Sequence, residues 1–320
     1  MFKITRKHQL SIVVILVVYI SYYLIFYKIV KYNPVLKHSD VHLRHEQVVK
    51  SLAKMAEGNN LALYKNKKIV IGGCVKNVQK HLPAVFDNIV TICDLFSYCR
   101  VIVYYDKSWK DDTLKYLNDY SKALKGKLTI IKNPNFISKK YRTHRIAFGR
   151  NKIIEKIEND FSNYDYFINI DFDDVSSTKI NISNLTKTLA LANQYDVVTF
   201  ARDSYYDIWA LRYNNFLINS HDISKDSSKN TAYCSIIRED ITKQLSKLRD
   251  DEFFEVDSAF NGFGVYKIPK LYGCRYSGEN ILFKVPNGRN KKEDCEHVSF
   301  HRCLRLENGA RIVISPRKLF

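Results

Sequence analysis

The chain has 320 residues, 46% of them hydrophobic, and its 51 Lys and Arg against 33 Asp and Glu leave a formal net charge of +18. That length excludes a small disulfide-stapled scaffold and accommodates one large domain, or two small ones, with appendages. The basic residues are scattered along the chain, so the charge favours polyanions in general (nucleotide phosphates, anionic headgroups, acidic glycans) and selects none of them. No RNA-recognition, zinc-finger or helix-turn-helix pattern occurs, and nucleic acid is not an expected partner.

Residues Gln9 to Tyr27 form a 19-residue stretch without a charge, bounded by Arg6-Lys7-His8 and Lys28. That length spans a bilayer core. Tyr22, Tyr23, Phe26 and Tyr27 stand where a cleaved signal peptide would carry small residues, so the expectation is an uncleaved signal-anchor. Residues 1–8 are then a short cytoplasmic tail, and the protein is a single-pass type II protein of the endoplasmic reticulum, the Golgi or a virus-associated membrane. Residues 28–65 read as a polar stem with some helix, and His38, His42 and His45 within it as solvated, because no acid or cysteine joins them at a metal-ligand spacing.

Residues 66–320 alternate between strand-like and helix-like segments. Strands are expected at Lys68–Cys74, Arg100–Tyr105, Lys127–Lys132, Tyr164–Asp171 and Asp196–Ala201. Helices are expected at Val78–Leu95, Asp111–Leu124, Arg145–Ile157 and Ser183–Asn193, the first and third with apolar residues near the helical period. Apolar strands in that order imply an α/β domain with a mainly parallel central sheet flanked by helices, whose ligands bind at the carboxyl ends of the strands. Beyond Asp203 the pattern loosens into aromatic-rich segments, with Tyr205, Tyr206, Trp209 and Phe263 as core residues or sugar-stacking surfaces.

Asp171, Asp173 and Asp174 follow the apolar run Tyr166–Ile170, at the end of a buried strand. Alternation along a strand points Asp171 and Asp173 the same way and Phe172 the other. Two carboxylates so placed suit Mg2+ or Mn2+, which take their remaining ligands from water and a substrate phosphate. An acidic turn that caps the next helix fits the same residues. Seven cysteines include no CxxC pair; in an oxidising lumen Cys274, Cys295 and Cys303 are the disulfide candidates, and two sequons, at Asn181 and Asn184, would matter only there.

Several further pieces occur in a fixed order: Gly72-Gly73-Cys74-Val75-Lys76-Asn77, Tyr104-Tyr105-Asp106-Lys107-Ser108, Arg150-Asn151, Tyr206-Asp207-Ile208-Trp209, Gly262-Phe263-Gly264 and Glu293-Asp294-Cys295-Glu296-His297. Together with the acidic cluster they resemble the A-type, nucleotide-sugar-dependent glycosyltransferases, and within them the capsule-associated α-1,3-mannosyltransferases of fungi and related viral and bacterial enzymes. Fungal members tend to carry an Asn-Asp pair at the acidic cluster, which leaves the sugar open. The resemblance implies a single A-type domain in which Asp171 and Asp173, as a DxD motif, hold Mn2+ or Mg2+ against a GDP- or UDP-hexose. It implies a nucleotide role for Asp106, and a late histidine, His297 or His301, in the metal shell. Arg145 and Arg150 are candidates for the donor phosphates or for a solvated helix face. Asp174 is assigned to the sugar or the second sphere of the metal, and Asp257 and Glu255 to the acceptor, where a carboxylate base would act. The implied reaction moves a hexose to a glycan or glycoprotein. A nucleotidyltransferase on a similar sheet and a non-catalytic anchored binding protein are the alternatives.

Overall fold

A computed structural model describes residues 38–56, 63–107, 110–133, 141–213, 230–280 and 293–320. The chain divides into two compact units, Met1–Leu43 and Arg44–Phe320, and the second carries the sheet and every site residue named below. The apolar stretch Gln9–Tyr27 lies outside the described residues, and among those described no helix is long and apolar enough to cross a membrane.

Eight strands form one sheet in the order β3-β2-β1-β4-β7-β5-β8-β6. They are β1 (Tyr64–Val75), β2 (Phe96–Tyr105), β3 (Leu128–Lys132), β4 (Tyr166–Ile170), β5 (Val197–Ala201), β6 (Phe254–Glu255), β7 (Phe263–Lys267) and β8 (Ile312–Lys318). β1 pairs in parallel with β2 and β4, β2 with β3, and β5 with β8. β7 runs antiparallel to both β4 and β5, and β6 to β8. The fold is a mixed α/β sheet flanked by helices, mainly parallel as the sequence implies. The two reversed strands come from the second half of the chain, where the sequence pattern marks no strand beyond Ala201.

The helices are α1 (His38–Ala56), α2 (Leu82–Cys93), α3 (Thr113–Ala123), α4 (Arg142–Asp160), α5 (Ile182–Leu191), α6 (Asn230–Ser246) and α7 (Glu296–Leu306). Ile153, Ile154 and Ile157 of α4 pack with Val70, Ile102 and Phe167 in the main core cluster. The other face of the sheet takes α2 and α3: Phe86 lies 4.4 Å from the Tyr120 ring and 5.8 Å from that of Phe172. His45 is only 5% exposed. Its ring stacks on Tyr116 at 3.7 Å, and its two nitrogens lie 2.9 Å from the Tyr120 hydroxyl and 3.3 Å from Asp119 Oδ2. The solvated role expected of this histidine does not hold, because residues 44–56 form an apolar-faced helix, with Val48 and Leu52 fully buried, and α3 satisfies the imidazole. Disulfides join Cys274 to Cys303 and Cys93 to Cys99; Cys295 stays unbridged and buried.

Gly73 shows how closely β1 approaches the end of β4. A Cβ there would overlap the Ile170 carbonyl oxygen and meet the Phe172 ring at 2.8 Å. Gly73→Ala is therefore expected to destabilise the protein by about 1–3 kcal/mol through overpacking. Urea unfolding followed by fluorescence checks this, and an unchanged midpoint would contradict the packing described.

Candidate active site

A cavity of about 1060 Å³ opens at the carboxyl ends of β1, β2 and β4, where such sheets hold their ligands. Its volume suits a ligand the size of a nucleotide-sugar. Lys76 and Asp106 enter from the loops after β1 and β2, Asp171 and Asp173 from the tip of β4, Arg145 and Arg150 from α4, and Glu296 and His297 from the start of α7. Six residues expected from the sequence, Asp106, Arg145, Arg150, Asp171, Asp173 and His297, thus line one cavity.

The β4 tip is fixed through its backbone: Asp171 N donates to Gly262 O at 3.0 Å. Gly262 has φ of 86°, a conformation that favours glycine, and a Cβ there would meet Val175 Cγ1 at 2.5 Å. Phe172 is buried at the tip, and Asp171, Phe172 and Asp173 all border the cavity. Asp173 also caps the short 3-10 turn Asp174–Ser176, with Val175 N donating to its Oδ1 at 3.2 Å. The capping reading and the cavity-lining reading therefore both apply to it. Burial, and then the neighbouring Asp171, raise the Asp173 carboxyl to about 6.

Arg150 organises the wall. It is 6% exposed, donates from Nη2 to Asp171 Oδ1 at 3.3 Å, and places Nε 3.1 Å from Glu296 Oε1. Its guanidinium also lies over the Phe260 ring at 4.8 Å. Burial works against this charge, but Glu296 and Asp171 outweigh it and raise its pKa. The helix that carries it is tethered by Asn151, whose side chain exchanges hydrogen bonds with the Tyr276 backbone at 2.9 and 2.7 Å. Glu296 is 5% exposed, and burial raises its pKa against the pull of Arg150. The second Asp171 oxygen, Oδ2, accepts from the Tyr206 hydroxyl at 3.0 Å.

His297, 1% exposed, stacks on Phe260 at 4.0 Å, and neither ring nitrogen has a hydrogen-bond partner among the described residues. Burial, and then Arg150, keep it neutral. His301 is a different case. Ser258 Oγ and the Tyr266 hydroxyl lie 2.9 and 3.0 Å from its two nitrogens, so it is a satisfied core residue. Asp106 pairs with Lys76 at 2.7 Å.

Three expected residues do not join the cavity. The Asp174 side chain is exposed on the short 3-10 turn. Glu255 lies on the two-residue edge strand β6 and pairs with Arg311 at 3.1 Å. Asp257 pairs with Arg305 and lines a separate hollow of about 230 Å³. Their expected roles at sugar and acceptor do not fit these positions, because the chain turns between Asp257 and Phe263 and sends the two ends to different places. Asp207 and Glu296 are the cavity carboxylates to which sequence reasoning gives no role, and Asp207 is the one without an arginine partner among the described residues. Ala210 N donates to its Oδ1 at 3.3 Å, and burial, then Asp171 and Glu296, raise it to about 7. Its only sequence signal is its place beside Tyr206 in an aromatic segment.

The acids fit a divalent cation in part. Asp171 and Asp173 form an acidic pair, and Asp171 raises the pKa of Asp173, a repulsion that a shared cation relieves. Among the described residues, however, no three His, Cys, Asp or Glu side chains gather closely enough to hold a metal, so His297 does not complete a ready-made cage with them. The pair suits an ion that takes most of its ligands from water and phosphate.

No family model matches the chain, and no curated protein does. Solved structures similar to it include TarS 1–349 of S. aureus, with a TM-score of 0.41 and 14% identity over 78% of this chain and 58% of that one. GalNAc-T7 with UDP, GalNAc and Mn2+ has a TM-score of 0.41 and 11% identity over 81% and 43%. Glucosyl-3-phosphoglycerate synthase of Mycobacterium tuberculosis with Mn2+, UDP and phosphoglyceric acid has a TM-score of 0.36 and 10% identity over 76% and 64%. The chain thus spans 43–64% of the length of these proteins, and likeness at this level assigns no activity.

The Asp207 shift carries a sign. The folded state binds its proton more tightly than the unfolded chain, so stability from this group is full below about 4 and falls as pH rises towards about 7. Asp207→Asn, which cannot ionise, is expected to gain stability over the parent at pH 8 and to gain less at pH 5. Thermal unfolding across that range checks it, and a difference independent of pH would contradict the shift.

Proposed function

We propose that the protein is a glycosyltransferase that moves a hexose from a GDP- or UDP-sugar to a glycan or glycoprotein acceptor, with mannose as the first sugar to try. The observation that carries this reading is the acidic pair Asp171 and Asp173 at the tip of β4, on the wall of a nucleotide-sized cavity that also holds a buried arginine. A pair of carboxylates beside a guanidinium suits a diphosphate, which needs both a bridging cation and a fixed positive charge.

The chain's own residues divide the work. Asp171 and Asp173 would hold Mn2+ or Mg2+, which supplies Lewis-acid neutralisation of the leaving diphosphate. Arg150 holds Asp171 through its ion pair, and its Nη1, buried without a hydrogen-bond partner among the described residues, is available to a phosphate oxygen. Lys76 and Asp106, from the loops after β1 and β2, would meet the ribose or base. In the transfer the bond from the sugar C1 to the phosphate oxygen breaks and one from C1 to the acceptor oxygen forms. Asp207, poised near neutrality, takes the hydroxyl proton in the role the sequence suggests for Asp257. The stretch Gln9–Tyr27 is the proposed anchor, and would place the domain in a lumen where the two disulfides persist.

Full-length protein in detergent, given Mn2+ and a panel of nucleotide-sugars, is expected to release nucleoside diphosphate with at least one donor. Replacing Asp171 and Asp173 by Ala should cut that rate by about 100-fold or more, the scale of losing one electrostatic stabiliser of a transition state. Turnover that survives the double replacement would overturn the reading, as would release of pyrophosphate in place of the diphosphate.

A further inference from the structure

Five basic side chains line the cavity, Lys76, Arg142, Arg145, Arg150 and Arg238, and they differ in how far the fold itself engages them. Two of the arginines are held by no hydrogen bond or close ion pair among the described residues. Arg142 stands in the first turn of α4, and Arg238 lies in α6, and both line the cavity. Neither makes a hydrogen bond or a close ion pair among the described residues, although Arg142 is near enough to Glu296 to favour its charged form. The other three are engaged: Lys76 with Asp106, Arg150 with Asp171 and Glu296, and Arg145 with contacts of its own.

Their placement follows from helix geometry. Arg142, Ile146 and Arg150 are spaced by four, so one face of α4 turns to the cavity, and all three line it. Cys234 and Arg238 do the same on α6. Arg142 sits where a cation is least comfortable. The first turn of α4 has no acidic residue, its N-cap Tyr141 does not cap the helix through its side chain, and the helix dipole there is positive. Its longer-range attraction to Glu296 is the one favourable electrostatic contact recorded for Arg142 among the described residues. Arg150, on the same face and more than nine-tenths buried, adds an unpartnered Nη1. Guanidinium forks match phosphate and carboxylate oxygens in pairs.

A nucleoside diphosphate ester carries two negative charges, which a divalent cation offsets and Arg150 supports. Arg142 and Arg238 are then left over, on α4 and α6 rather than on the β1 and β2 loops that carry Lys76 and Asp106. We infer that Arg142 and Arg238 form a second anion subsite, and that the acceptor is an acidic saccharide, one bearing a phosphate or carboxylate, rather than a neutral glycan. This rests on the glycosyltransferase reading for the word acceptor; the anion subsite itself does not. The net charge of +18 is in keeping with such a substrate.

The test uses the full chain with Mn2+ and saturating nucleoside diphosphate, titrated by calorimetry with glucose 6-phosphate and with glucose as probes. The ester is expected to bind with the diphosphate in place, and glucose at least tenfold more weakly. The double variant Arg142→Gln/Arg238→Gln should lose at least tenfold in affinity for the ester while keeping its thermal midpoint and holding the diphosphate within about twofold. Equal binding of ester and glucose, no binding of either, displacement of the ester by the diphosphate, or an equal loss for both ligands in the variant would each overturn the proposal. If the diphosphate itself fails to bind, the donor reading falls. The ester alone then decides the subsite, which stands if the double variant loses it and falls if it does not.

Discussion

The guanidinium of Arg150 lies between two acids on different elements, Asp171 at the tip of β4 and Glu296 at the start of α7, in a wall that water scarcely reaches. Removing either acid would leave the buried guanidinium with one partner fewer, and removing the arginine would leave the buried Glu296 without its cation. The geometry of the cavity depends on this three-body contact, because it ties helix α4, strand β4 and helix α7 to one another through charge. The hydrogen bonds of Asn151 to Tyr276, and of Thr143 to Glu293 at 2.9 Å, fasten the same helix to the segments that lead into α7.

The sheet topology supplies the complementary constraint. β7 runs backwards between β4 and β5, so the turn at Asn261–Gly262 arrives beside the tip of β4 and clamps Asp171 through its backbone. Asn261 and Gly262 both have positive φ, at 56° and 86°. A tight left-handed turn is what allows a reversed strand to begin so close to an acidic tip. The Tyr206 phenol then occupies the second oxygen of Asp171 from the loop after β5. An acid held by an amide anchor, a guanidinium and a phenol is preorganised, and a bound cation would exchange contacts at a fixed point rather than order a loop.

How much of this is legible in the sequence follows from the physics of each segment. Strand β4 and its acids can be read because an apolar run that stops abruptly at three carboxylates marks a buried strand emerging at a polar edge. The helix α4 is legible through its isoleucines, and with it Arg145 and Arg150. The α7 helix is not, because it buries Glu296, His297, Ser299 and His301 beside its apolar residues, and a polar buried face has no periodic signal. β7 and β8 escape detection because the second half of the chain lacks the strand and helix alternation that marks a parallel sheet. Asp257 misleads for a local reason: its neighbours Gly262 to Gly264 do reach the tip of β4, but Ser258 pairs with Arg212 in an isolated bridge and Asp257 turns to Arg305. Burial of His45 depends on α3, which no reading of the stem alone can supply.

Calorimetric titration of Mn2+ into the full-length protein, with and without UDP or GDP, tests the central claim most directly. If Asp171 and Asp173 grip a cation that shares its shell with a diphosphate, each ligand should tighten the other by about tenfold or more, and by the same factor in either order. That coupling should vanish when both acids become Ala. A Mn2+ affinity indifferent to the diphosphate, or coupling that persists without the acids, would contradict the account.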